Sequence, residues 1–107
     1  MTTDVTLDRV YTLKELRESP TLVLACDGVV FDVTQGAEFY GARGPYASLA
    51  RKDATRALAK MDLHMSDDDL ALSSQGLTNE EKKTLQEWKA KFMKKYAVVG
   101  RLTRGTG

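Results

Sequence analysis

The sequence predicts an α+β domain in which a small sheet carries short helices on one side. Three observations carry that prediction. Two aliphatic runs, Leu22 to Cys26 and Val29 to Val33, are joined by Asp27-Gly28, a pair that tolerates the positive φ angles of a two-residue hairpin. Two capping boxes, Thr12 with Glu15 and Thr78 with Glu81, each open a helix. A final run, Tyr96 to Leu102, reads as a closing strand.

Taken in order, the first helix starts at the Thr12 box, with Tyr11 and Leu16 placed for a hydrophobic staple. It ends at Ser19-Pro20, because the residue before proline avoids the helical region. The hairpin follows. After Thr34-Gln35-Gly36 come short helical pieces: one around Ala37 to Tyr40, one starting at Pro45, and one capped by Asp53 and running to about Met61. Residues 62 to 77 are expected to be irregular, with Asp67-Asp68-Asp69 a solvated helix start, since the run lacks the spaced carboxylates and central glycine of a calcium loop. The Thr78 box opens the longest helix, with Leu85, Trp88 and Phe92 on one face and lysines on the other. Arg104 to Gly107 is expected to be a loose end.

With 107 residues the chain is read as one domain over 1–107, its core from about 11 to 102. The 42% hydrophobic and 29% charged composition is that of an ordinary globular protein. Sixteen Lys and Arg against 15 Asp and Glu give a net charge of +1, which argues against a nucleic-acid partner. The longest aliphatic stretch falls far short of the roughly 20 residues of a membrane span. MTTDVTLDRV shows no leader or lipidation signal, so a soluble, cytoplasmic protein is expected.

One cysteine permits no internal disulfide, and one histidine, His64, leaves triad and cysteine–histidine catalysis without support. Cys26 is read as a packed small residue. The same scarcity of ligands argues against zinc. The lysine face of the long helix reads as a solubility face; its Lys94-Lys95 end is also suited to anionic lipid or ligand carboxylates. What remains is Phe39-Tyr40-Gly41-Ala42-Arg43-Gly44-Pro45-Tyr46, with Lys95-Tyr96 far off in sequence. A glycine-containing bend flanked by aromatic residues is either a flat ligand slot or packed core. Gly44-Pro45 predicts that Tyr46 sits in the first turn of a short helix.

Val30-Phe31-Asp32-Val33-Thr34, the Phe39 to Tyr46 segment, Lys52-Asp53-Ala54-Thr55-Arg56-Ala57-Leu58-Ala59, and Lys95-Tyr96 to Val99-Gly100-Arg101-Leu102 together resemble the membrane-associated progesterone receptor family of cytochrome b5-like haem/steroid-binding domains. The resemblance runs from about Tyr11 to Leu102. It implies a cytochrome b5-like fold, with a mixed sheet and short helices forming a ligand cleft. It also implies b-type haem, ferric and five-coordinate, with Tyr46 as the iron ligand and Tyr40, Lys95 and Tyr96 hydrogen-bonding the cofactor or lining its pocket. The His-Pro-Gly-Gly string and second histidine of true cytochrome b5 are absent, which excludes bis-histidine ligation within one chain.

The chain departs from the family at Ala42-Arg43, where Pro-Gly or Pro-Glu is common. It departs again at Leu49-Ala50-Arg51, where Phe-Ala-Gly is common. By resemblance the protein is a regulatory or carrier module and not an enzyme. The partners implied are haem, a haem-thiolate monooxygenase, a second haem-loaded copy and, through such partners, the surface of an intracellular membrane. A sterol or steroid site, or an interaction domain without ligand, are the competing readings.

Overall fold

The computed structural model describes residues 9–103. The first eight residues and the last four, on which the leader reading and the loose end rest, lie outside them. Four strands, β1 (Val10–Tyr11), β2 (Val23–Cys26), β3 (Val29–Asp32) and β4 (Ala97–Leu102), form a sheet ordered β1-β4-β3-β2. The pair β1 and β4 is parallel; the other neighbours are antiparallel, so the sheet is mixed. The hairpin closes as expected, with Asp27 at φ 53° and Gly28 at φ 81°. Val30 faces Gly100 and Phe31 faces Val98, leaving Val99 as the extra residue of a β-bulge.

The helices are α1 (Leu13–Arg17), α2 (Ala37–Tyr40), α3 (Thr55–Lys60), α4 (Asp67–Leu70) and α5 (Asn79–Lys95), with 3-10 turns at Thr34–Gly36 and Ala47–Leu49. Both capping boxes form, the hydroxyls of Thr12 and Thr78 accepting from Glu15 and Glu81 amides at 3.0 and 3.1 Å. Period-2 alternation splits the strands between two cores. Leu24, Cys26 and Phe31 join Tyr40, Leu58, Leu85, Phe92 and Tyr96 on one face. Val23, Ala25 and Val30 join Tyr11, Leu16 and Leu102 on the other. All four residues of β2 are therefore buried.

The structure corrects the sequence reading at five points. Helix α1 does not share the face of the others: Leu16, fully buried, takes it to the second core with Tyr11. Strand β1 was not anticipated, since two residues show no alternation. No helix begins at Pro45, because the Tyr46 amide donates to the Phe39 carbonyl at 2.8 Å and Tyr46 itself precedes the 3-10 turn. Ala54, not Asp53, is the cap residue of α3; Asp53 acts one position earlier, its carboxylate accepting from the Thr55 amide at 3.2 Å. The 62–77 stretch is not irregular throughout: the helix start expected at Asp67-Asp68-Asp69 forms as α4, capped by Ser66, with the three aspartates in its first turn where the helix dipole favours them.

Segment 51–54 runs along the free edge of β2. The Arg51 amide donates to Val23, the Ala25 amide to Lys52 and the Ala54 amide back to Ala25, at 2.6, 3.0 and 2.8 Å. Thr55 connects this edge to the hairpin: its hydroxyl donates to Asp53 at 2.5 Å and accepts from the Asp27 amide at 2.8 Å. Thr55→Val keeps the shape but strips both bonds, so urea unfolding is expected to show a loss of about 2–4 kcal/mol, with Thr55→Ser recovering most of it. Cys26 is fully buried, and burial first, then the Asp27 and Asp53 carboxylates, push its thiol up from 9.0 to about 12. The raised value means that stability from the neutral thiol is complete below pH 9 and is lost as pH rises toward 12. A disulfide reagent at pH 8 is expected to leave the native thiol unmodified and to label it only as urea unfolds the chain.

Candidate functional site

The folding of segment 36–46 is set by two backbone constraints. Helix α2 ends at Gly41, whose amide donates to Ala37 at 2.8 Å. The chain then turns back until the Tyr46 amide reaches the Phe39 carbonyl. That approach requires glycine at 44, because a Cβ there would collide with the Phe39 carbonyl. The turn lays the Tyr46 ring beside α2, 5.8 Å from the Tyr40 ring and 6.5 Å from Phe39, centre to centre.

From the other direction, α5 delivers Phe92 and, one turn on at its C-terminal cap, Tyr96. The two rings stand 5.8 Å apart, and Tyr40 meets Phe92 at 6.3 Å and Tyr96 at 6.4 Å, edge-on in both cases. Lys95 is exposed, its ammonium 5.2 Å from the Phe39 ring and 5.5 Å from that of Tyr96. Tyr40, Tyr46, Lys95 and Tyr96, separated by up to 56 positions in the chain, thus form one cluster. Tyr96 rests over Gly36, where a side chain would run into its hydroxyl.

The cluster is not an open slot. A flat group between two rings needs roughly twice a 3.5 Å contact, and Tyr40 and Tyr46 are closer than that. What the cluster offers is hydroxyl groups. The rings of Tyr40 and Tyr96 are buried and that of Tyr46 is half-buried, yet none of the three hydroxyls has a protein hydrogen-bond partner among the described residues. No buried side-chain oxygen or nitrogen among those residues lacks a partner, so the three hydroxyls reach solvent. Hydroxyls that reach solvent bond to water, so the cluster carries three phenol groups with no protein partner among the described residues.

Burial, and then the neighbouring phenols of Tyr96 and Tyr46, push Tyr40 well above the ordinary tyrosine range, so it stays neutral and donates. The chemistry of this donor set fits a haem: phenol oxygens of the kind that ligate ferric iron, the Tyr40 phenol held neutral to donate a hydrogen bond, and an ammonium for a carboxylate. His64 is exposed between α3 and α4 and belongs to none of the ring contacts. Arg43, also exposed, lies on the Gly41 to Tyr46 turn.

Sequence reasoning placed Phe92 in the core and did not connect it to the site. Its spacing of four from Tyr96 on one helix is the signal that joins them. Arg51, where the resemblance leads one to expect glycine, keeps a left-handed backbone at φ 60° and donates from its Nε to the Ser19 carbonyl at 2.9 Å.

The family model described as "Cytochrome b5-like Heme/Steroid binding domain" matches residues 9–103. The chain is 48% identical over 85 residues to "Probable steroid-binding protein 3" of Arabidopsis thaliana, covering 79% of this chain and 83% of that protein. It is 40% identical to a cytochrome P-450 regulator of Schizosaccharomyces pombe, over 88% of this chain and 63% of the relative. Membrane-associated progesterone receptor component 2 of Homo sapiens is 39% identical, over 90% of this chain and 46% of the relative. Against two membrane steroid-binding proteins of Arabidopsis thaliana the chain spans only 36% and 35% of their length. A solved Arabidopsis thaliana protein described as having a cytochrome b5 like fold superposes with a TM-score of 0.77 at 42% identity, over 89% of this chain and 91% of that one. The mixed sheet, the helices above it and these matches agree: the chain belongs to the cytochrome b5-like haem/steroid-binding domain family, among the relatives of the membrane-associated progesterone receptor proteins.

Proposed function

We propose that this chain is a haem-binding module with Tyr46 as its single axial ligand, acting as a regulator or carrier through partner proteins and not as an enzyme. The observation that supports it is the meeting of three tyrosine rings, whose hydroxyls have no protein partner among the described residues, beside Lys95 in a domain of this family. Haem, when bound, supplies a ferric centre that takes an anionic oxygen ligand. Tyr46 provides that oxygen, because its backbone is fixed by the amide bond to the Phe39 carbonyl and its ring packs on Tyr40 and Phe39, while its hydroxyl stays accessible. As a phenolate it offsets the charge of a ferric porphyrin, so the ferric state is favoured and electron transfer is a poor use of the site. Tyr40, kept neutral by burial, and Tyr96 donate hydrogen bonds, and Lys95 pairs with a carboxylate at the rim.

A single protein ligand leaves the opposite iron face open. That supports pairing of two haem-loaded copies and docking on a haem-thiolate monooxygenase, the latter in line with the Schizosaccharomyces pombe relative named as a cytochrome P-450 regulator. No helix among the described residues is long and apolar enough to cross a membrane, so a cytoplasmic seat with membrane contact through such a partner is the reading adopted. The names of several relatives favour a second reading, a steroid in place of haem, held by the same buried rings and hydroxyl donors.

Haemin titration separates the two. The parent is expected to give a five-coordinate, high-spin ferric spectrum with a phenolate charge-transfer band. Tyr46→Phe removes one oxygen and should keep its circular dichroism while losing that band and binding haemin tenfold more weakly or worse, a change of about 1.4 kcal/mol or more. Tyr40→Phe and Tyr96→Phe should each cost about 0.5–1.5 kcal/mol and leave the band in place. An unchanged spectrum in Tyr46→Phe would refute the ligand assignment; absence of haemin binding in the parent would leave the steroid reading. Loading should also raise the sedimenting mass to that of a dimer.

A further inference from the structure

A second site stands apart from the ring cluster in its residues. A cavity of about 130 Å³ is lined by Leu13 and Arg17 of α1, by Arg51 and Lys52, and by Asp67 and Leu70 of α4. At roughly 10–15 Å³ per water-sized atom, it holds a ligand of about ten heavy atoms. Its cations are unevenly matched. Lys52 pairs with Asp67 at 3.2 Å, and the remaining carboxylate, Asp53, accepts from Thr55 and Ser73. Among the described residues Arg17 has no ion pair, and Arg51 uses only its Nε, on the Ser19 carbonyl at 2.9 Å, its terminal nitrogens having no partner there.

Arg51 is also held at φ 60°, a backbone region that side-chain-bearing residues adopt at a cost. Its half-buried guanidinium is anchored at one nitrogen and turned to present the rest, the fixed fork that suits a carboxylate. Leu70 is buried, while Leu13 is 40% exposed, an apolar surface beside two arginines that form no ion pair among the described residues.

We propose that this cavity binds a small amphiphilic monoanion, a medium-chain carboxylate whose head lies on Arg17 and Arg51 and whose chain covers Leu13 and Leu70. The lining carries three cations and two carboxylates, a surplus of one charge that a monoanion neutralises. Neither charge nor apolar surface suffices alone: a bare anion leaves Leu13 in water, and a neutral chain leaves both guanidiniums unpaired.

The test is a titration of the ¹⁵N-labelled, haem-free chain with octanoate, 1-octanol and inorganic phosphate, followed by amide shifts. Octanoate is expected to saturate shifts around Leu13, Arg51 and Leu70, with octanol and phosphate each at least tenfold weaker. Arg51→Gly suits the left-handed backbone, so it should fold with undiminished stability and yet bind octanoate at least tenfold more weakly, as should Arg17→Gln. Tyr46→Phe should bind octanoate as the parent does, which keeps this site's outcome independent of the haem reading. The proposal is overturned by shifts that do not saturate or that centre on residues 39–46, by octanol or phosphate matching octanoate, or by undiminished octanoate binding in Arg51→Gly.

Discussion

Sheet and helices are joined at the carboxylate of Asp53, and the rest of the structure depends on how that group is satisfied. It is 4% exposed, a position where a carboxylate is costly unless its oxygens are bonded. One oxygen accepts from the Thr55 amide and hydroxyl, the other from the Ser73 hydroxyl at 2.9 Å. Those bonds require α3 to begin where it does and the loop after α4 to close over it. Meanwhile the backbone of 51–54 is pinned to Val23 and Ala25, so the same few residues fix β2, the start of α3 and the hairpin turn through Asp27. A second tie at the turn, Lys89 and Gln86 on the Asp27 carboxylate at 3.2 and 2.9 Å, brings α5 to the same corner.

This anchoring decides where the tyrosines can meet. Helix α5 leaves the Asp27 corner and carries Phe92 and Tyr96 over the sheet face formed by Leu24, Cys26 and Phe31, with Phe31 and Phe92 5.4 Å apart. The β3 strand leads directly into α2, so Tyr40 arrives on that same face. Only Tyr46 needs a further device, the return of the chain to the Phe39 carbonyl. A hydrophobic floor and one backbone hydrogen bond thus position three phenols with no hydrogen bond among their hydroxyls.

The parts of the fold legible in the sequence are those governed by local chemistry. Asp27-Gly28 announces its turn through the φ angles it permits, and the Thr12 and Thr78 boxes announce theirs through reciprocal side-chain bonds three residues apart. What was not legible depends on partners remote in sequence. Strand β1 is two residues paired to Arg101 and Leu102, and nothing in Val10-Tyr11 marks it as a strand. The seat of α1 on the second face follows from Leu16 meeting Val23 and Val30, a choice that alternation in β2 leaves undecided because both of its faces are buried. The helix expected at Pro45 was displaced because a long-range acceptor, the Phe39 carbonyl, captured the amide of Tyr46. For the site, motif resemblance pointed to Tyr40, Tyr46, Lys95 and Tyr96, and the structure brings all four together. Their packed rather than slotted arrangement, and the part of Phe92, needed coordinates.

The same burial that gathers these rings also separates their chemistry. Tyr40 packs against Tyr46, Phe92 and Tyr96, and with most of the phenol buried and two others alongside, its ionised form is strongly disfavoured. It can donate a hydrogen bond but is a poor source of an anionic ligand. Tyr46 sits at the edge of the group, half-buried, its ring held by packing and its hydroxyl facing water. On the proposed haem reading Tyr46, the outer phenol, is the one placed to meet iron, since ionising Tyr40 would put a charge among buried rings. A cluster of otherwise similar tyrosines is thereby divided by depth, with half-buried Tyr46 at the rim and Tyr40, held neutral, beneath it.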